Sequence, residues 1–161
     1  MKKYSYPSVL AIAGFDGSGG AGIQADIKTI SALGCYATSV LTALPVQNTQ
    51  GVRSIFPIPI EAVAEQMEAV LDDIFPQAIK IGMVHTGELV DTIVEILAKY
   101  PKVPLVFDPV MVATSGHRLI EEKTKSVIVE KLFPISTLIT PNMDEAGILA
   151  GMNVNTVEDM Y

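Results

Sequence analysis

The segment from Gly14 to Asp26 constrains the fold of this chain most, because it packs glycines between an apolar run and a helical pattern. Residues 9–13 (VLAIA) are typical of a buried strand, and a helix is predicted from about residue 21 to residue 33. Four glycines fall within residues 17–22, where a plain turn would need only one or two. Glycine lets a ligand approach the main chain closely, and free N–H groups at a helix start favour anionic or hydrogen-bond-accepting ligands. The sequence therefore predicts a strand-to-helix turn that binds a ligand.

Two well-known glycine-rich loops fit this segment poorly. Gly17, Gly19 and Gly22 match G-x-G-x-x-G, but a dinucleotide site also needs an acidic residue about 20 positions further on. The next acidic residue after Asp26 is Glu61, which disfavours a nucleotide-dependent oxidoreductase. A P-loop would end in Gly-Lys-Ser or Gly-Lys-Thr, and the segment contains no lysine, so we exclude it.

Charge and composition exclude several classes of function. The formal net charge is −7 and the basic residues are scattered, which argues against nucleic acid or an anionic membrane as a partner. Cys35 is the only cysteine and His85 and His117 are the only histidines, so neither an internal disulfide nor a zinc cluster is expected. The sequence has neither a signal-peptide pattern nor an apolar run long enough for a bilayer, and a cytoplasmic protein is the default expectation.

Strand patterns alternate with helix patterns along the chain. Strands are predicted at 9–14, 36–46, 52–58 (a short edge strand), 78–83, 104–107 and 137–140, and helices at 21–33, 60–75, 86–100, 121–132 and 143–150, with another helix starting at 156. This order is typical of a parallel sheet covered by helices on both faces. We therefore predict a single α/β domain over residues 1–161 with a three-layer α/β/α architecture and a mostly parallel sheet. Because the sequence ends in what looks like a helix start, we expect the domain to be incomplete at its C-terminus.

Several polar segments follow predicted strands and would meet at one edge of the sheet. In open α/β sheets ligands bind beyond the carboxyl ends of the strands. The segments at that edge are 14–22, Gln47-Asn48, Gly82-Met83, Asp108 and 140–142.

Each of these residues also has a purely structural interpretation. Gln47 could equally close a turn, and spacing alone favours Asp26 as an exposed helical acid. Asp108 precedes a proline, a common turn signal, but an acid at a strand end can also hold a metal ion that bridges phosphates. Asn142 and Glu145 have the spacing of a capping box, the interpretation that spacing favours. We assign no catalytic role to His85 or His117.

Taken together, these segments resemble a known family. Residues 13–28 (AGFDGSGGAGIQADIK) closely resemble the N-terminal signature of the hydroxymethylpyrimidine/phosphomethylpyrimidine kinases of thiamine biosynthesis, which belong to the ribokinase-like superfamily. The similarity continues in the same order through 31–34 (SALG), 42–49 (TALPVQNT), 80–83 (KIGM), 108–113 (DPVMVA), 115–116 (SG) and 140–142 (TPN). The resemblance implies a ribokinase-like fold. It also implies ATP-dependent phosphorylation of the hydroxymethyl group of an aminopyrimidine, and then of the resulting monophosphate, with ATP and Mg²⁺ as cofactors.

The resemblance also implies roles for individual residues. Gln47 would hydrogen-bond the pyrimidine, Asp26 and the main chain around Gly14 would help to hold the ring, and Met83 would pack against it. A second group would lie on the ATP–magnesium side: Asp108, Asn142 and Glu145, with Asp108 and Glu145 as the candidate Mg²⁺ ligands. The superfamily also suggests a homodimer.

The sequence departs from the family pattern at several positions. Phe15, Gly17 and Thr114 differ from the residues common there, which puts a phosphate contact at Thr114 in doubt. Family members continue into a glycine-rich anion hole with the catalytic residue, which we expect beyond Tyr161. The 161-residue chain alone should then have negligible kinase activity. Two alternatives stay open: a pyridoxal or pyridoxine kinase, and a truncated, non-catalytic pyrimidine-binding chain.

Overall fold

The fold is described from a computed structural model, which describes residues 6–111 and 122–160. Its strands are β1 (Ser8–Ala13), β2 (Tyr36–Leu41), β3 (Ala43–Asn48), β4 (Gly51–Pro57), β5 (Ala78–Ile81), β6 (Leu105–Phe107) and β7 (Leu138–Ile139). Its α-helices are α1 (Gly22–Ala32), α2 (Ile60–Asp73), α3 (Gly87–Leu97), α4 (Glu122–Val127) and α5 (Met143–Ala150). Among the described helices, none has the length and apolar character needed to cross a bilayer.

Five of the described strands form the central sheet, and these five run parallel. Their spatial order is β2-β1-β5-β6-β7. Side chains alternate between its two faces. Leu10, Ile12, Ile79 and Ile81 join the large core with α2 and α3, whereas Ala11 and Ala13 pack against Ile23 of α1. The predicted mostly parallel α/β/α arrangement is therefore confirmed, with α1 on one face and α2, α3 and α4 on the other.

The strand predicted over 36–46 is wrong in its extent, because the chain leaves the sheet at Thr42. The buried Thr42 donates its N–H to the carbonyl of Ala13 (3.0 Å) and its hydroxyl to the carbonyl of Met83 (3.0 Å). These bonds hold the chain at the ends of β1 and β5, and the next residues form an antiparallel hairpin of β3 and β4. The segment 52–58 is therefore not an edge of the main sheet but the second strand of this hairpin.

Two predicted helices also differ from the structure. The helix over 121–132 is α4 followed by a π-helical turn at Ile128–Leu132 and a 3-10 turn at Phe133–Ile135, next to a proline that cannot donate to an α-helical ladder. The helix expected from residue 156 is a single 3-10 turn, Glu158–Met160. Thr114, His117 and the 115–116 pair lie outside the described residues.

Candidate functional site

The site lies where the connections of the sheet reverse direction. The connection after β1 leads to β2 at one edge, and the connection after β5 leads towards β6 and β7 at the other. A crevice opens at such a switch point, beyond the carboxyl ends of the two strands. Gly14 follows β1 and Met83 follows β5 in this structure. The predicted ligand-binding edge therefore coincides with the switch point.

Gly14 and Met83 touch across this crevice. A Cβ atom added to Gly14 would lie 2.7 Å from Cε of Met83, so the absence of a side chain at Gly14 makes room for the buried methionine. The carbonyl of Gly14 also accepts the N–H of Ile23 (2.9 Å), which joins the start of α1 to the end of β1. Two of the predicted ring-holding residues are thus brought together.

Asp16 is the centre of the glycine-rich loop, and sequence reasoning missed it. Its side chain is buried, and its carboxylate accepts hydrogen bonds from Ser18 N (3.0 Å), Ser18 Oγ (2.7 Å), Gly20 N (3.1 Å) and Ala21 N (2.8 Å). The signal was present in the sequence, because an aspartate before Ser-Gly-Gly and a helix start is typical of an Asx turn or cap.

This internal carboxylate corrects the expectation that the loop offers free N–H groups to a ligand. The N–H groups of Gly20 and Ala21 at the start of α1 point to Asp16 instead. The positive end of the helix dipole is thereby satisfied from within the chain. A dinucleotide or phosphate bound on this loop would have to displace a buried negative charge, which agrees with the poor fit of both glycine-rich fingerprints.

Hydrogen bonding keeps Asp16 ionised. Burial by itself would raise the pKa of this carboxyl, but hydrogen bonds from the side chain of Gln47, from Ser18 and from the Ala21 N–H lower it from 3.8 to about 2. The loop is also joined to the hairpin by the N–H of Phe15, which donates to the carbonyl of Ala43 (3.0 Å). The side chain of Gln47, on the hairpin, therefore lies near the Asp16 carboxylate of the loop.

The two polar residues at the end of β3 have different surroundings. Gln47 is half-buried and lies close enough to Asp16 to lower the pKa of its carboxyl. Asn48 is exposed, and its Oδ1 accepts the N–H of Gln50 (2.9 Å) in the hairpin turn. The turn-closing role that was considered for Gln47 belongs to Asn48. Gln47 reaches the site from the hairpin rather than from the end of a strand of the main sheet.

Lys80 joins two of the predicted site carboxylates. Its ammonium lies 3.1 Å from Oδ1 of Asp26 and 3.5 Å from Oδ2 of Asp108. Asp26 is not the exposed helical acid that spacing favoured, since its side chain is only 16% exposed and faces this cation. A lysine inside a buried strand pattern signals a carboxylate partner, but the sequence cannot say which acids surround it.

Asn142 and Glu145 form the predicted capping box at the start of α5. Asn142 Oδ1 accepts the Glu145 N–H (2.9 Å), and Glu145 Oε2 accepts the Asn142 N–H (2.9 Å). Glu145 is buried, and its Oε1 accepts the N–H of Met111 in the segment after β6 (3.4 Å). Glu145 therefore ties α5 to the segment that follows Asp108.

The side of the site that contains Asp108 and Glu145 has no preformed set of metal ligands among the described residues. Among residues 6–111 and 122–160, no group of three or more His, Cys, Asp or Glu side chains is arranged to hold a metal ion. Asp108 is the more exposed acid of this side, at 36%, whereas Glu145 is 4% exposed. The arrangement offers an amide and a thioether at the crevice, and a carboxylate at the neighbouring strand end that is able to face a cation.

Sequence comparisons give a consistent result for this chain. A family model described as phosphomethylpyrimidine kinase matches residues 16–161. A thiamine biosynthesis bifunctional protein of Geobacter sulfurreducens is 48% identical over 95% of this chain and 31% of its own length. A hydroxymethylpyrimidine/phosphomethylpyrimidine kinase of Streptomyces coelicolor is 45% identical over 96% of this chain and 57% of its own length. The chain thus spans less than two thirds of either relative.

Solved structures are similar in both fold and sequence. The phosphomethylpyrimidine kinase of Clostridium difficile 630 superposes with a TM-score of 0.86 at 47% identity, over 96% of this chain and 67% of its own. The pyridoxal kinase of Staphylococcus aureus in complex with pyridoxal superposes with a TM-score of 0.87 at 35% identity, over 98% of this chain and 58% of its own. A further structure of that pyridoxal kinase contains AMP-PCP.

Proposed function

The chain belongs to the phosphomethylpyrimidine kinase family, and we propose that it supplies the substrate side of an ATP-dependent kinase of thiamine biosynthesis. The whole protein would phosphorylate the hydroxymethyl group of 4-amino-5-hydroxymethyl-2-methylpyrimidine, and then the resulting monophosphate. The observation that carries this proposal is the contact of Gly14 with Met83 at the switch point of the sheet, next to a loop that is joined to the β3–β4 hairpin by the hydrogen bond from Phe15 to Ala43.

The chemistry of these groups suits an aminopyrimidine. The Gln47 amide offers both a donor and an acceptor to the edge of a heterocycle. The Met83 thioether makes favourable contacts with aromatic rings, and the missing side chain of Gly14 makes room for it. Asp26 acts in this proposal through Lys80, because both of its oxygens lie within reach of that ammonium.

The ATP–magnesium side of the proposed site is built around Asp108, with Asn142 and Glu145. Mg²⁺ sites of this kind use one or two carboxylates together with phosphate oxygens and water, and the metal bridges the phosphates during transfer. Asp108 fits such a ligand because its side chain is partly exposed. Glu145 fits a supporting role better, since direct coordination would require it to give up a main-chain hydrogen bond to Asn142 or Met111.

A homodimer in the cytoplasm completes the proposal. The described residues that favour a contact between copies are the exposed apolar side chains of the β3–β4 hairpin, Leu44, Val46 and Phe56. Light scattering of the purified protein would decide its oligomeric state.

Pyridoxal phosphorylation is the second candidate activity. It is favoured by the similarity to a pyridoxal kinase bound to pyridoxal, although that protein is 35% identical where the phosphomethylpyrimidine kinase is 47% identical. The non-catalytic pyrimidine-binding chain is the third candidate. It shares the binding residues and differs only in lacking turnover.

A paired binding and turnover experiment separates these candidates. Calorimetry with the 161-residue chain should show saturable binding of the aminopyrimidine, weakened about tenfold in Gln47→Ala for one lost hydrogen bond. Gln50→Ala is the matched control, because Gln50 is exposed in the turn of the same hairpin. With ATP and Mg²⁺ added, we expect negligible phosphate transfer by this polypeptide alone. Tighter binding of pyridoxal than of the aminopyrimidine would overturn the pyrimidine assignment.

A further inference from the structure

Lys80 is a charged residue in the middle strand of the central sheet. It lies on β5, and its neighbours across the sheet are Ala11 of β1 and Val106 of β6. A lysine in this position needs partners for its charge, because burying an unpaired ammonium is costly. Gly82 makes room for it, since a Cβ atom added there would lie only 3.0 Å from Nζ of Lys80. The ammonium is therefore held at the carboxyl end of β5, where Met83 of the crevice follows.

Two carboxylates share this ammonium unequally. Nζ of Lys80 lies 3.1 Å from Oδ1 of Asp26 and donates a hydrogen bond of 3.1 Å to Oδ2 of the same residue. Asp108 approaches the ammonium with Oδ2, at the longer distance of 3.5 Å. Asp26 is also the less exposed of the two side chains, at 16% against 36%, and water screens a charge pair less where it has less access. Lys80 is therefore bound more strongly to Asp26 than to Asp108.

The space between the two carboxylates fits an ammonium better than a metal ion. Mg²⁺ holds its oxygen ligands at about 2.1 Å, roughly 1 Å shorter than the contacts between Lys80 and Asp26. Two carboxylates that face one point from different elements would still attract a divalent cation there, because hard cations prefer carboxylate oxygens. Lys80 places a positive charge at that point. It neutralises one of the two negative charges and repels a second cation.

We propose that Lys80 is a positioning residue that divides the two carboxylates between the two sides of the site. It retains Asp26 through both carboxylate oxygens and so prevents a divalent cation from bridging Asp26 and Asp108. Asp108 is then the carboxylate of this pair that a metal can take. The inference rests on the proposed ATP–magnesium role of Asp108, and it assigns to Lys80 the task of deciding where the metal binds.

The position of the metal matters because phosphoryl transfer depends on positioning and on neutralising charge at the phosphates. A cation bridging Asp26 and Asp108 would have two protein carboxylates in place of phosphate oxygens, and it would bind tightly without any nucleotide. With Lys80 present, a metal that takes Asp108 displaces the ammonium only as far as Asp26, whose two oxygens already face it. The chain alone should therefore bind a divalent cation weakly, and phosphates would have to supply the remaining ligands.

The test measures binding of Mn²⁺, a paramagnetic substitute for Mg²⁺, to the 161-residue chain from the EPR signal of the free ion. Lys80→Met should bind Mn²⁺ about tenfold more tightly than the unaltered chain, because two adjacent carboxylates lose the cation between them. Adding Asp26→Asn to Lys80→Met should reverse this gain. Lys80→Arg keeps the charge and should keep the weak affinity. Lys99→Met is the matched control, since it removes one positive charge from the exposed ion pair with Glu68.

Equal affinities of Lys80→Met and Lys99→Met would overturn the proposal, because net charge alone would then explain any gain. A gain in Lys80→Met that persists after Asp26→Asn would also overturn it. If circular dichroism shows that Lys80→Met does not fold, Lys80→Gln replaces it, since a neutral amide can still donate to the carboxylates. Asp108→Asn in the unaltered chain tests the proposed function separately. If it leaves Mn²⁺ binding unchanged, the assignment of Asp108 to magnesium fails, while a gain in Lys80→Met that needs Asp26 still supports the role of Lys80.

Discussion

At the scale of single residues, the buried carboxylate of Asp16 links the stability of the loop to pH. Its pKa is about 2 in the folded chain against 3.8 for a free carboxyl. A lowered pKa stabilises the fold above the unfolded value, and the contribution is lost as the pH falls from about 4 towards 2. The shift corresponds to about 2 kcal/mol at neutral pH.

Asp16→Asn should therefore lower the free energy of unfolding at pH 7 by about 2 kcal/mol. At pH 3 the difference from the unaltered chain should shrink to about half, because pH 3 lies between the folded and unfolded pKa values of the Asp16 carboxyl and only part of the linkage free energy remains. Urea unfolding at the two pH values measures both quantities. Asp73→Asn is the control, since Asp73 is exposed at the end of α2. A difference that is the same at both pH values would refute the linkage.

Lys80 provides a second prediction at this scale, through its ion pair with Asp26. The pair is half-buried, with side-chain exposures of 24% and 16%, so water screens it less than a surface pair. A double-mutant cycle of Lys80→Met and Asp26→Asn should give a coupling of roughly 1 kcal/mol or more. The exposed pair of Lys99 and Glu68 is the control and should couple by less than about 0.5 kcal/mol. Equal coupling free energies in the two pairs would mean that the partial burial of Lys80 and Asp26 does not strengthen their ion pair.

At the scale of secondary-structure elements, the alternation of strand and helix patterns predicted the parallel main sheet. The polar residues that follow the predicted strands indicated the edge where the site lies. Gly14, Met83 and Asp108 lie at the strand ends where the pattern put them. The break between β2 and β3 could not be predicted, because the residues on both sides of Thr42 are equally suited to a strand. The break depends on hydrogen bonds from Thr42 to Ala13 and Met83, which are 29 and 41 positions away. Lys80 was missed for the same reason, because its partners Asp26 and Asp108 come together with it only in the fold. The partners of Asp16 in the loop are local, and its Asx-turn pattern was present in the sequence.

The strand-to-helix turn depends on Gly22 in particular. Its φ is +55°, and an added Cβ would lie 2.4 Å from the carbonyl oxygen of Gly14, a main-chain atom that cannot move aside. Gly22→Ala should cost about 3 kcal/mol of unfolding free energy or prevent folding, because strain and the clash add.

Gly34 is the matched control for this substitution. It has a similar φ of +79° but open space around the position of a Cβ. Gly34→Ala should then cost only the strain, about 1 kcal/mol. Thermal or urea unfolding of both variants separates the two contributions. Equal losses in the two variants would mean that the Gly14 carbonyl is not the obstacle.

At the scale of the whole molecule, the two sides of the proposed site differ in how far they are formed. Gly14 and Met83 already meet beyond the ends of β1 and β5, Gln47 lies near Asp16, and Asp26 of α1 is paired with Lys80. On the other side, Asp108 is paired with Lys80, and Glu145 is occupied by main-chain N–H groups. A pyrimidine should therefore find a preformed site in these 161 residues, whereas ATP–Mg²⁺ would have to displace existing partners.

Ligand-induced stabilisation makes this asymmetry measurable. The aminopyrimidine at 100 times its dissociation constant should raise the unfolding free energy by about 2.7 kcal/mol, because it binds only the folded state. ATP–Mg²⁺ at millimolar concentration should raise it by much less, since of the two candidate carboxylates Asp108 is paired with Lys80 and Glu145 is buried. Thermal unfolding with each ligand provides the comparison. At the same pyrimidine concentration the effect should fall to about half in Gln47→Ala, because tenfold weaker binding leaves the ligand at about 10 times its dissociation constant, and it should persist in full in Gln50→Ala. Stronger stabilisation by ATP–Mg²⁺ than by the pyrimidine would show that the preformed half is the nucleotide half, and the assignment of Gln47, Gly14 and Met83 to the substrate would then be wrong.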